Sequence, residues 1–162
     1  MKLPWFKTEP VDDTFFRTAP VRLVETFAVN KPASEVWDEL TAEHPLSWCR
    51  IIGARGINWT SDRPFGVGTT RTVSALKGAN KFREHFFIWE EGRRHAFYVV
   101  EASAPLVKRF AEDYVVEPVT DTSCSFTWTI AYEPSAIGKP GDAINKRLLK
   151  SLFADTRKHY AG

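Results

Sequence analysis

No stretch of this chain approaches the roughly 20 consecutive apolar residues of a membrane-spanning helix, so no integral membrane segment is expected. Met1 to Pro10 holds an early Lys2 but no apolar run, so no secretory signal is read there. Cysteine is nearly missing: Cys49 and Cys124 are the only two in 162 residues. They lack metal-ligand spacing and read as small buried or half-buried thiols in a reducing, cytoplasmic setting. No metal and no cofactor is expected. A charge of one sign is missing too. The formal net charge is +2 with Lys and Arg scattered, which argues against nucleic acid as a partner. Gly66-Val67-Gly68 lacks the Gly-Lys-Ser/Thr ending of a phosphate loop and does not precede a helix, so it reads as a turn feeding a strand. Asn58-Trp59-Thr60 fits a glycosylation pattern, idle without export. No internal repeat or low-complexity tract is present.

What the chain has is apolar and aromatic bulk, 43% hydrophobic and 14% aromatic residues, ample for one core in one domain. Residues 1–20 are rich in Pro and turn formers and carry Trp5, Phe6, Phe15 and Phe16. They read as an N-terminal arm lying against a single domain at 21–162, or as a free, flexible tail, against which their aromatic content argues. Val21 to Val29 reads as a strand. Pro32 opens a helix through Leu40, with Val36, Trp37 and Leu40 on one face, and a second short helix or loop runs through Pro45 to Cys49. Strands follow near Gly56–Thr60, Thr69–Ala75, Lys81–Trp89, Arg93–Ala102, Phe110–Pro118 and Thr122–Tyr132. Gly138, Pro140 and Gly141 break the chain before a long amphipathic helix, Asp142 to Tyr160. There Asp142 is the expected N-cap, and Ile144, Leu148 and Leu152 recur every four residues beside Leu149 and Phe153. Strands joined by short loops, with helices gathered on one face, make an α+β antiparallel architecture.

Turn chemistry orients the strands. With Glu90-Glu91-Gly92 as a three-residue hairpin loop, Trp89 pairs with Arg93 and Glu84 with Tyr98. Phe82, Glu84, Phe86 and Ile88 then share a face with Ala96, Tyr98, Val100 and Ala102. A four-residue loop at Leu76–Ala79 sets Arg71 opposite Glu84, and Val73 shares that side. A loop at Ser103–Val107 sets Tyr98 opposite Glu112, joined by Phe110, Tyr114 and Val116. Cys124, Phe126, Trp128, Ile130 and Tyr132 alternate with Ser and Thr and should face the helices. The outcome is a polar row, Arg71, Glu84, Tyr98 and Glu112, crossing an aromatic face. Glu84 and Glu112, two strands apart at roughly 9–10 Å, are too far apart to share one proton. His85, His95, Phe87, Phe97 and Trp89 fall on the outer face. The aromatics among them form a patch for the arm or a second copy of the chain, as a homodimer, to cover.

Lys31-Pro32-Ala33-Ser34-Glu35-Val36-Trp37, the strand start Val67-Gly68-Thr69-Thr70-Arg71, and the hairpin Ile88-Trp89-Glu90-Glu91-Gly92-Arg93-Arg94 share an order and spacing with a known group. So does Phe126 to Pro134 before the long helix. Over about residues 21–160 the chain resembles the helix-grip superfamily, also called SRPBCC. That group includes START lipid-transfer domains, the birch-pollen allergen family, plant abscisic-acid receptors and bacterial polyketide cyclase/dehydrase-like proteins, the last being most similar. The resemblance implies a seven-stranded antiparallel sheet curled around the C-terminal helix, two short helices after the first strand, and an internal cavity. In the abscisic-acid receptors the strand positions similar to Arg71 and Glu84 line that cavity. The group has no shared catalytic set, so no activity transfers with it.

The expected ligand contacts are therefore Arg71, Val73, Phe82, Glu84, Phe86, Tyr98 and Val100, then Phe110, Glu112, Tyr114, Phe126, Trp128, Leu149 and Phe153. Glu84 reads either as a ligand anchor or base, or as half of a structural ion pair with Arg71. Glu112 reads as a neutral donor, an acid, or a carboxylate at the cavity mouth, and Tyr98 as a donor to a carbonyl or as a plain wall residue. Three functions fit: binding of a lipid-like, aromatic or polyketide-like small molecule; cyclisation, dehydration or isomerisation with Glu84, Glu112 and Tyr98 as candidate acid/base groups; or partner binding through the outer patch.

Overall fold

The structure, a computed structural model, describes residues 4–161; residues 1–3 of the expected arm and residue 162 of the expected domain lie outside them. The elements run β1 (Phe6–Lys7), α1 (Phe15–Thr18), β2 (Val21–Val29), α2 (Ala33–Leu40), β3 (Ile57–Trp59), β4 (Thr70–Ala75), β5 (Asn80–Glu90), β6 (Arg94–Ala102), β7 (Val107–Thr120), β8 (Ser123–Pro134) and α3 (Asp142–Tyr160). All paired strands are antiparallel, in the order β2-β8-β7-β6-β5-β4-β3. These are the seven strands expected. The arm adds an eighth, β1, which pairs Phe6 with Ala102 and Lys7 with Glu101. The chain has the helix-grip fold. No helix among the described residues is long and apolar enough to cross a membrane.

The second short helix does not form. From Pro45 to Cys49 the chain makes turns, with Leu46 at φ 57°, outside helical range. Asp142 is the first residue of α3 and not its N-cap, which is Gly141. The Asp142 carboxylate accepts a hydrogen bond from the Tyr132 hydroxyl at 2.8 Å and suits the positive end of the helix. The buried face of α3 is Leu152, Phe153, Thr156 and Tyr160. Ile144, expected on that face, is 69% exposed.

The sheet's inner face and α3 enclose the main core. Phe153 packs edge-on against Trp128 and Phe27. The outer face is also covered: Phe15 and Phe16 cluster with Ala96, Ala111, Ala131, Phe87 and Ile88, and Phe16 stacks on Phe87 at 6.0 Å. Arg94 binds Asp113 of β7 and Asp13 of the N-terminal segment, each at 2.8 Å.

Register explains the largest departure from expectation. The β5–β6 hairpin turns one residue later, pairing Glu90 with Arg94, and carries shifts between Phe86 and Ile88 and between Arg83 and Glu84. The first shift sets Phe86 opposite Phe97 and Glu84 opposite Val99. A bulge adds one residue on one strand and reverses which side chains face inward beyond it. Phe97, Val99 and His95 therefore join the core, and Trp89 packs against it. Tyr98, Ile88 and Ala96 belong to the outer cluster.

Candidate functional site

Between the sheet and α3 lies a cavity of about 100 Å³. Its apolar wall comes from the turns after α2 (Leu46, Ile51, Ile52), from β3 and β4 (Ile57, Val73), from Phe82 and Phe110, and from Leu149 and Leu152 of α3. Ala75, Asn80, Ala104, Leu106, Val107 and Asn145 complete the lining. Leu106 is fixed by its neighbour: a Cβ at Gly138 would collide with the Leu106 carbonyl, so only glycine lets the chain pass that close.

The floor of the cavity is polar. The Arg71 Nε donates to Glu84 Oε1 at 2.6 Å, with both side chains buried. The guanidinium lies against three rings, 4.7 Å from the centroid of Phe97, 5.0 Å from Phe86 and 5.3 Å from Trp59. Such cation–π contacts partly replace the water it has lost. Among the described residues Nε is its one hydrogen-bonding nitrogen, and Nη1 is enclosed without a partner. Burial raises the Glu84 carboxyl above the ordinary carboxylate value while the Arg71 charge pulls it down, and Arg71 itself stays charged.

Glu112 stands on the same face from β7. Its Oε1 accepts from the Trp128 indole at 2.7 Å and from the Tyr114 hydroxyl at 2.9 Å. Burial, reinforced by the Glu84 charge, pushes its pKa up to about 7, and the two hydrogen bonds only partly offset this. Behind Tyr114, His95 is wholly buried, and neither ring nitrogen has a partner among the described residues. Burial and the Arg71 charge hold it uncharged. Aromatic rings surround it: Trp37, Phe86, Trp89 and Tyr114.

Of the expected ligand contacts, Arg71, Val73, Phe82, Glu84, Phe110, Glu112, Tyr114, Trp128 and Leu149 line the cavity. Five do not. The bulges in the β5–β6 pair put Tyr98 in the outer cluster. Val100 falls at the second register shift, between the paired residues Val99 and Glu101, where its carbonyl accepts from Thr8. Phe86, Phe126 and Phe153 point inward but are consumed by packing, Phe86 on Trp59 and Phe97, Phe126 on Phe27, and Phe153 on Trp128. The expectation that His95 lies on the outer face is also overturned. Phe97 and the residues Leu46, Ile51 and Ile52 were missed. A clean β6 alternation would have shown the first, but the turns after α2 carry no periodicity that marks them as wall. His44, in the turns after α2, meets the Ile57 carbonyl at 3.1 Å. His159, at the end of α3, stacks on Trp48 at 3.9 Å and reaches Glu39 at 2.7 Å.

Comparison with known proteins agrees with this fold. The family described as polyketide cyclase / dehydrase and lipid transport matches residues 20–158. Uncharacterized proteins of Mycobacterium tuberculosis and Mycobacterium bovis are each 32% identical over 145 residues, covering 89% of this chain and 84% of theirs. Among solved structures, a START superfamily protein from Mycobacterium smegmatis superposes with a TM-score of 0.62 at 12% identity, over 86% of this chain and 96% of that one. The major latex-like protein 151 of Panax ginseng gives 0.60 at 18% identity, over 88% and 98%. At those identities the two structures speak to the fold alone.

Proposed function

Because the chain belongs to the polyketide cyclase / dehydrase and lipid transport family, we propose that the cavity between the sheet and α3 binds a small apolar molecule. The observation that carries this reading is the make-up of the wall: mostly aliphatic and aromatic side chains, with Asn80 and Asn145 among them and the charged groups Arg71, Glu84 and Glu112 at the floor. Ligand pockets have that composition, a greasy lining with a few polar groups that fix orientation. The size narrows the ligand. A cavity of about 100 Å³ is below the roughly 300–1,000 Å³ of pockets for drug-sized molecules. It is closer to the roughly 150 Å³ that takes up benzene in an engineered protein. One ring fits, or the end of a longer molecule.

The test is thermal denaturation with a series of single-ring hydrocarbons. A ligand that binds only the folded state raises Tm with concentration. Wild type should show the rise, and Val73→Phe, which fills the cavity from β4, should lose it. Equal shifts in both proteins would refute the reading.

Glu112 supports a second reading, acid/base chemistry of the isomerisation, dehydration or cyclisation type. A carboxyl that titrates at about 7 is suited to moving protons at neutral pH. On this reading Glu112→Gln abolishes turnover of a bound substrate and keeps its affinity.

A further inference from the structure

We propose that the polar floor selects an apolar ligand bearing one uncharged oxygen acceptor, a ketone, ester or amide carbonyl, and disfavours the matching carboxylate. The carbonyl oxygen would sit between the unused guanidinium nitrogens of Arg71 and Oε2 of Glu112. This inference rests on the binding reading above and concerns the same cavity.

Two unfilled hydrogen-bonding positions point to it. Arg71 lines the cavity yet, among the described residues, spends only Nε on the protein, and Nη1 is buried with no acceptor. A donor buried without an acceptor is destabilising, more so when it is charged, so the site gains from an acceptor that reaches the guanidinium. Glu112 receives both of its hydrogen bonds on Oε1. The acidic proton, when present, therefore belongs on Oε2, where it is free to be donated.

Charge decides between acceptors. The groups around Glu112 are Arg71 from β4, Glu84 from β5, Tyr114 from β7 and Trp128 from β8, with Cys49 from the turns after α2 and His95 of β6 behind Tyr114. From α3 the cavity meets Leu149, Leu152 and the uncharged Asn145. His95 is held uncharged, Tyr114 is held in its neutral form by burial and the Glu112 charge, and burial pushes the Cys49 thiol up to about 12. Among these groups Arg71 is thus the single cation, and Glu84 already answers it. A ligand carboxylate would add an uncompensated buried negative charge, which is expensive to desolvate. A carbonyl takes the same hydrogen bonds without that charge. The Oε2 proton is half lost at about pH 7, so the carbonyl preference should fade in alkaline solution.

Isothermal titration with three probes of nearly equal size, ethylbenzene, acetophenone and benzoate, at pH 6 and pH 8.5 tests the inference. At pH 6 acetophenone should bind about tenfold tighter than ethylbenzene, the worth of one good hydrogen bond. Benzoate should bind at least about tenfold weaker than acetophenone at both pH values. In Glu112→Gln, whose amide keeps a donor at every pH, the acetophenone preference should persist at pH 8.5, whereas in wild type it shrinks. Acetophenone no tighter than ethylbenzene at pH 6, or benzoate matching acetophenone, overturns the inference and leaves cavity binding standing. If none of the three binds, the cavity reading fails and the inference falls with it.

Discussion

At the scale of single residues, the interior holds more ionisable chemistry than a core of this size needs for packing. Glu112 makes this measurable. Its carboxyl titrates at about 7 in the folded protein against 4.5 for a free side chain, so the folded state holds the proton more tightly than the unfolded chain does. The stabilisation it contributes is therefore complete below about pH 4.5 and is lost as pH rises to about 7. The difference in unfolding free energy between wild type and Glu112→Gln should accordingly drift against wild type across that window, by on the order of 3 kcal/mol. Denaturant unfolding at successive pH values measures it, and a flat difference would show that Glu112 is better solvated than its surroundings suggest. Arg71 makes a second prediction. Arg71→Met leaves Glu84 buried without its partner and should cost about 3–5 kcal/mol. The double variant Arg71→Met, Glu84→Met should recover most of that loss, because it removes the orphaned charge and keeps the volume. A double variant as unstable as the single one would mean that packing, not charge, sets the penalty.

At the scale of elements, the outer face of the sheet is as telling as the inner one. Phe15 and Phe16 of α1 lie on Ala96, Ala111 and Ala131, three small residues that leave room for the rings. Phe16→Ala should cost about 3 kcal/mol, the size of a large-to-small change at a buried ring. Deleting the chain up to Ala19 should expose Phe87, Ile88 and Ala96 and increase binding of an apolar dye. Unchanged dye fluorescence after the deletion would contradict coverage by this segment. The same face explains what could be read from sequence. β8 was legible because Cys124, Phe126, Trp128, Ile130 and Tyr132 alternate with Ser and Thr, so only one face can be the core. The Arg71–Glu84 pair was legible because the Leu76–Ala79 turn fixes the β4–β5 register. β5 and β6 were not. Phe86, Phe87, Ile88 and Trp89 are apolar in succession because both faces are covered, one by the core and one by α1. Alternation then carries no sign, and a bulge that moves Tyr98 outward and Phe97 inward leaves no mark in residue type. His95 misled for a related reason: a histidine suggests solvent, yet this one is held neutral among aromatic rings.

At the scale of the molecule, the curled sheet and α3 flank an apolar hollow, with a paired guanidinium and a half-protonated acid at its floor. The wall belongs to elements distant in sequence, from the turns after α2 to α3, so it exists only in the folded chain. The Trp128 indole, bonded to Glu112 inside that hollow, reports directly on what enters it. In ¹H–¹⁵N NMR spectra recorded during titration with ethylbenzene, the Trp128 indole resonance and the backbone amides of Leu149 and Leu152 should shift and saturate together. The amides of Phe16, Phe87 and Tyr98, on the far side of the sheet, should stay in place. Shifts confined to the outer-face residues, or no saturable shift at Trp128, would contradict the account.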